Sequence, residues 1–138
     1  MQRTYSPEYY YFTAQITPQS LAAGVVSGPS VDALAVNSNL FNDAMSVMNV
    51  GPATGAPTSF AITGKLQHSV DNATWTDVVG ISATAIVAGP TVLPGYSPNA
   101  LHRYRRFTVT SVYVGGTAPA NGISCVEFAG GKYRIPLA

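Results

Sequence analysis

Two histidines, one cysteine, a pair of aspartates and a run of arginines are the residues here whose types could carry chemistry. His68 and His102 stand at no metal-ligand spacing from Cys125 or from an acid pair, and a zinc site needs at least three converging ligands. Cys125 lies inside the apolar alternation of residues 123–128. A nucleophilic cysteine needs an exposed, electropositive setting, so Cys125 reads as a small buried apolar residue. Paired carboxylates serve glycosidases, but Asp71 and Asp77 flank a turn, where carboxylates do ordinary solvated work. No Gly-x-Ser-x-Gly elbow and no phosphate-binding glycine loop occurs. The expectation is a protein without catalytic residues, metal or cofactor: no enzyme.

Arg103, Arg105 and Arg106 offer recognition instead. A guanidinium meets carboxylates with a planar two-pronged fork, which favours it at subunit contacts. Alternation puts Arg103 and Arg105 on one side with Phe107 and Val109, and Arg106 on the other with Tyr104 and Thr108. Docking onto acidic groups of a partner is one reading. A charged strand end that discourages edge-to-edge pairing is the other. Trp75 and Tyr96 are candidates for stacking on sugar rings; Trp75 is expected in the core, and Tyr96 at the exposed tip of a Pro/Gly-rich loop.

The elements that must position these residues are strands. Residues 60–70 alternate, with Phe60, Ile62, Leu66 and Val70 on one face and Ala61, Thr63, Lys65, Gln67 and Ser69 on the other, as a half-buried antiparallel strand requires. Asp71-Asn72-Ala73-Thr74 supplies turn chemistry, and Trp75 and Val78 open the return strand of a hairpin ending near Val79. Further short strands are expected at Val25-Val26, 31–36, 45–50, 82–87, 103–114 and 123–128, the last running back antiparallel to its predecessor. A single helical turn at 40–44 is an alternative local reading. Residues 51–59 and 89–99 read as loops, because their prolines and glycines oppose a central strand. Seven to nine short strands without a long helix give an all-β antiparallel β-sandwich or jelly roll with long Pro/Gly loops.

Residues 1–20 differ from the remainder. Tyr5, Tyr9, Tyr10, Tyr11 and Phe12 crowd between Pro7 and Pro18. Aromatic rings are favoured at interfaces, so this stretch reads either as an extended N-terminal arm laid on a neighbouring subunit or as a first strand packed on its own domain. The organisation expected is an arm over 1–20 and one β domain over 21–138.

Composition bounds the function classes. The 138 residues make one domain by default, and one cysteine allows no intrachain disulfide, which suits a reducing compartment. Charged residues are only 9% of the chain, against about 25% in ordinary soluble domains. So charge-poor a surface suits a subunit docked on others. Up to residue 100, Arg3 and Lys65 face five acids, a net of −3; beyond it, five cations face Glu127 alone, a net of +4. That asymmetry can orient a subunit but is far too small for sequence-independent nucleic-acid binding. No apolar run is long enough to span a membrane, and no signal peptide is expected from the polar, tyrosine-rich start.

The hairpin Leu66-Gln67-His68-Ser69-Val70-Asp71-Asn72-Ala73-Thr74-Trp75 and the strand Arg103-Tyr104-Arg105-Arg106-Phe107-Thr108-Val109-Thr110 resemble segments of phage virion proteins. Together, over residues 60–130, they are similar to the capsid cement or decoration proteins of tailed bacteriophages. The resemblance implies a jelly-roll or sandwich subunit on the outer capsid surface, made in the host bacterial cytoplasm, that bridges major capsid subunits and assembles with copies of itself as a dimer or trimer. From charge and hydropathy, neither a nucleic acid nor a membrane is expected as a partner. A carbohydrate- or receptor-binding module of a tail or fibre is the alternative, resting on Trp75 and Tyr96.

Overall fold

A computed structural model of the chain describes residues 9–34 and 43–131, with side chains from Phe12 onward. The described residues form nine strands: β1 (Tyr9–Leu21), β2 (Gly24–Ser27), β3 (Val31–Asp32), β4 (Asp43–Thr54), β5 (Ser59–Ser69), β6 (Thr76–Ala85), β7 (Gly89–Val92), β8 (Tyr104–Val114) and β9 (Ala120–Gly131). One 3-10 turn, Pro98–Ala100, is the only helical element among the described residues. The strands form two antiparallel sheets, a four-stranded one ordered β1-β9-β4-β7 and a five-stranded one ordered β2-β8-β5-β6, with β3 also on β8. The all-β sandwich is as expected.

Alternation explains what lies between the layers. The inward positions of β4 are Ala44, Ser46, Met48 and Val50, those of β8 are Arg105, Phe107, Val109 and Ser111, and those of β9 are Asn121, Ile123, Cys125, Glu127 and Ala129. With Ile16, Leu21, Ile62, Leu66 and Leu93 they make the core. Each large side chain buried there stabilises the fold by about 1.5–3 kcal/mol. Cys125 is wholly buried, as its strand pattern predicts.

The chain changes sheets at most of its connections, and this is where local reading misleads. Only β5 and β6 form a hairpin within one sheet. The segment after β8 does not return beside it. Gly115 and Gly116 at φ 69° and 83°, with Ala118 at φ 46°, turn the chain across to the other sheet, where β9 lies between β1 and β4. Thr117 N–H fastens this crossing to the Gly55 carbonyl at 2.8 Å.

Other expectations need correction. Val70 is 70% exposed and Ser69 is buried, because the alternation stops where the Ser69 hydroxyl turns in to bond Asp71 at 2.9 Å. The strand expected at 82–87 and the return arm of the hairpin are one strand, β6. Its pairing jumps from Lys65↔Ser82 to Gln67↔Asp77, so a bulge throws Val79 out to 96% exposure beside Gly80 at φ 81°. β4 runs through Pro52 into the supposed loop, tolerated because its register breaks between Val50 and Ala53. The second supposed loop contains β7, an edge strand that pairs Val47–Val50 and can hold Pro90. β3 is shorter than expected, ending at Asp32. Ala44 is strand, not helix; residues 40–42, like 35–36, lie outside the described residues.

Two tests follow from this packing. Gly64 faces the core, where a Cβ would come within 2.6 Å of the Phe107 ring and 2.9 Å of Met48 Sδ. Gly64→Ala is expected to cost about 1–3 kcal/mol by overpacking, read as a lower urea midpoint at unchanged m-value. At the β5–β6 turn, the amides of Thr74 and Ala73 and then the Ser69 hydroxyl hold the Asp71 carboxyl well below the usual carboxylate range. A depressed folded-state pKa stabilises above the unfolded value, and that contribution drains away as pH falls below about 4. Asp71→Asn should therefore lower the thermal midpoint at pH 7 and flatten its decline between about pH 4 and 2.

Candidate functional site

The inward alternation of β8 and β9 carries a cation and an anion to the same depth. Arg105 is 2% exposed and Glu127 not at all. Arg105 Nε donates to Glu127 Oε2 at 3.0 Å, and Arg105 Nη2 to Oε1 at 2.6 Å. This two-pronged pair joins one sheet to the other through the core. The Tyr96 hydroxyl donates to Glu127 Oε2 as well, with Ser46 Oγ at 3.4 Å from the tyrosine oxygen. Gln15 Nε2 donates to the same carboxylate at 3.4 Å, and Gln15 Oε1 accepts from Cys125 Sγ at 3.2 Å. Perturbed groups in a cluster are candidates for chemistry, but here the perturbation disarms them. Burial, then the neighbouring Glu127 charge, pushes the Cys125 thiol up to about 12. The same two causes raise Tyr96 far above its ordinary value. A thiol and a phenol that stay protonated, beside a carboxylate engaged by a guanidinium, form a strut.

The outer face of the five-stranded sheet is polar over most of its length, with exposed Val25, Val112 and Val114 toward one end. Arg106 points outward from β8 with its guanidinium carbon 4.4 Å above the Trp75 ring, and its Nε donates to Gln67 Oε1 at 2.9 Å. Gln67 Nε2 donates to Asp77 at 2.7 Å, and Lys65 closes on Asp77 at 2.8 Å. Thr63 and Thr84 share a hydroxyl hydrogen bond across the strands. At the rim, Arg103 grips Asp32 through Nε and Nη2 at 3.0 and 2.9 Å, and His68 and His102 stack with ring centres 4.1 Å apart. His102 N–H donates to His68 Nδ1. Burial, and second the neighbouring His102, lowers the His68 pKa.

The outer face of the four-stranded sheet is the opposite in character. Phe12, Phe128 and Met45 lie side by side on β1, β9 and β4, with Phe12 65% and Phe128 38% exposed. Ala14, Val126, Val47 and Val92 form the adjacent row.

The expected site residues thus separate. Arg105 is not on a docking surface: its β8 position faces inward and Glu127 neutralises it. Tyr96 is not at an exposed tip, because it bridges to Ala44 by paired backbone hydrogen bonds of 2.8 and 2.9 Å and is buried. Trp75 is not a core residue; it precedes β6 on the outside and is half-buried under Arg106. Arg103, Arg106 and Phe12 are on the surface. Tyr9, Tyr10 and Tyr11 lie in β1, hydrogen-bonded to β9, and Tyr5 lies outside the described residues. Sequence reasoning passed over Glu127, the lone acid beyond residue 100, although its inward parity with Cys125 was visible. It also passed over Phe128 and Gln67. Among the described residues, no group of three or more His, Cys, Asp or Glu side chains could hold a metal ion, and no helix is long and apolar enough to cross a membrane.

No family model matches the chain, and no curated protein matches it. Solved structures do. The PBSX exported protein XepA is 14% identical with a TM-score of 0.62, over 93% of this chain and 39% of that one. The infectious bursal disease virus VP2 subviral particle is 8% identical with a TM-score of 0.56, over 93% of this chain and 34% of that one. The Gx strain of the same virus gives 9% identity and a TM-score of 0.53 over similar shares. At such identities the likeness is one of fold, and the chain spans well under half the length of these proteins.

The strut makes a double prediction. Glu127→Gln leaves the guanidinium buried without its counter-charge and is expected to cost about 3–5 kcal/mol in denaturant unfolding. Replacing both partners, Arg105→Met with Glu127→Leu, should recover most of that loss. A double variant no more stable than the single one would show that the pair is not the source of the cost.

Proposed function

We propose that this chain is a structural, non-enzymatic subunit of a phage particle, bound to the outside of the capsid and bridging major capsid subunits. One observation carries the reading: a two-layer slab presents two chemically different faces, one aromatic and valine-rich, the other mostly polar with an Arg106–Trp75 stack. A bridging protein needs recognition on more than one side, whereas a chemical site needs convergence. Aromatic residues and arginine are the types that anchor protein interfaces. The charge-poor composition supports the same reading, since the interior pair consumes one of the seven cations and one of the six acids. Likeness of fold to a PBSX protein and to a viral particle protein is in keeping with it.

In this reading Arg106 and Trp75, with Arg103 at the rim, meet acidic groups on the capsid. The aromatic stretch of β1 meets copies of the same chain. Many equivalent copies on a lattice do not require tight single contacts, because linked sites bind at high effective concentration.

Half-exposure of Trp75 on a hydroxyl-rich sheet face favours one other reading, a carbohydrate- or receptor-binding module of a tail or fibre. The two are separated by binding. Under the capsid reading, purified heads carry this chain in stoichiometric amounts, and stripping it lowers their thermal resistance. Arg106→Ala or Trp75→Ala then weakens rebinding by roughly 10- to 100-fold in co-sedimentation. Heads that lack the chain, together with a glycan signal lost in Trp75→Ala, would favour the alternative.

A further inference from the structure

The apolar outer face of the four-stranded sheet has relief. At one end Phe12, Phe128 and Met45 stand as a ridge, the first two rings meeting edge-on with centres 5.1 Å apart. Past the valine row comes Asn49 paired with Ser124. Beyond them β4 and β9 present Gly51 and Gly122, and the face drops into an open trough of about 390 Å³ walled by Pro18 and Gln19 of β1. Phe128 and Gly122 lie on one strand, roughly 20 Å apart at a rise of ~3.3 Å per residue.

We propose that this face binds a second copy of the chain about a two-fold axis lying in the interface and perpendicular to the strands, so that the ridge of each copy fills the trough of the other. Such a rotation reverses the strand direction and turns the faces together while keeping each strand over its own counterpart, which carries Phe128 and Met45 of one copy over Gly122 and Gly51 of its partner and Phe12 over the Pro18–Gln19 wall. Both contacts form at once and the assembly closes as a dimer, the isologous arrangement. Charge argues for a like partner. Between ridge and trough, the described outward positions on β1, β4, β7 and β9 carry no ionised side chain, and Asp43 lies past the ridge. A charged surface would find no counter-charge here, while a second copy brings an equally uncharged one. Area argues for a reversible pair. Three strands by 20 Å, with the short β7 beside them, give a projected footprint of roughly 350 Å², smaller than the ~800 Å² per partner of a standard stable interface. The contact does not rest on the particle role and would hold for the chain in any setting.

Sedimentation equilibrium of the full chain over a concentration series tests it, and a dimer that dissociates on dilution is expected. Gly122 has open space where a Cβ would stand, so Gly122→Phe fills the trough without disturbing the monomer. It should weaken the dimer by roughly tenfold or more at unchanged circular dichroism and thermal midpoint. Register is read by cross-linking, with native Cys125 buried and out of reach. Phe128→Cys mixed with Gly122→Cys should give a disulfide between the two variants under mild oxidation, while neither alone links to itself. A monomer at every concentration, a dimer indifferent to Gly122→Phe, or Phe128→Cys linking to its own kind would each overturn the proposal.

Discussion

Two layers of strands held by apolar contact alone could slide; a two-pronged ion pair through the middle forbids it. Arg105 and Glu127 occupy inward positions on β8 and β9, strands of different sheets, and their hydrogen bonds have one register in which both prongs form. Ion pairs buried this deeply add little net stability, because desolvating two charges offsets most of their attraction. What the pair supplies is uniqueness. Tyr96, Gln15 and Ser46 extend the constraint to the 89–99 segment, to β1 and to β4. The loop that looks loose in sequence is therefore tied at Leu93 and Tyr96, and the edge strand β1 is held at Gln15.

That rigidity gives the surfaces their meaning. A slab that cannot shear presents its two outer faces at a fixed separation and angle. One face is knitted from hydroxyls, amides and charges, with Lys65 paired to Asp77 and Arg106 stacked on Trp75. The other is apolar and leaves two phenylalanine rings in water. Scattered exposed apolar residues are normal on any protein, but rows of them on a single sheet face, continuous from β1 to β7, are what a covered layer looks like when its cover is removed.

The period-two signal identified most strands, since it needs only the sequence of one strand at a time. Residues 103–114 read correctly because Phe107 and Val109 alternate with polar partners over a long run. The same parity rule could have shown that Arg105 points inward, yet parity without a partner looks like solvent exposure. The acid that makes burial tolerable is on a strand 22 positions away and in another sheet. Partnership between strands was not legible for the same reason. A turn such as Gly115–Pro119 has the composition of a hairpin whether it returns to its own sheet or crosses over. Trp75 and Tyr96 exchanged expected places because burial of an aromatic ring in a loop depends on what closes over it, here Arg106 on one and the Ala44 backbone beneath the other.

The topology also sets when this molecule can come into existence. β9 is the middle strand between β1 and β4, pairing Tyr9 with Gly131 and Asp43 with Gly130, so β1 waits for a strand made more than a hundred residues later. Until residue 131 has left the ribosome, β1 and β4 have no common neighbour, and Arg105 has no anion to enter the core with. Pairings this distant in sequence make for slow closure, during which the aromatic strand is open to wrong partners. The strands of the five-stranded sheet all precede β9 and can pair before it exists, whereas β1 and the β4–β7 pair stay unjoined until β9 has been made.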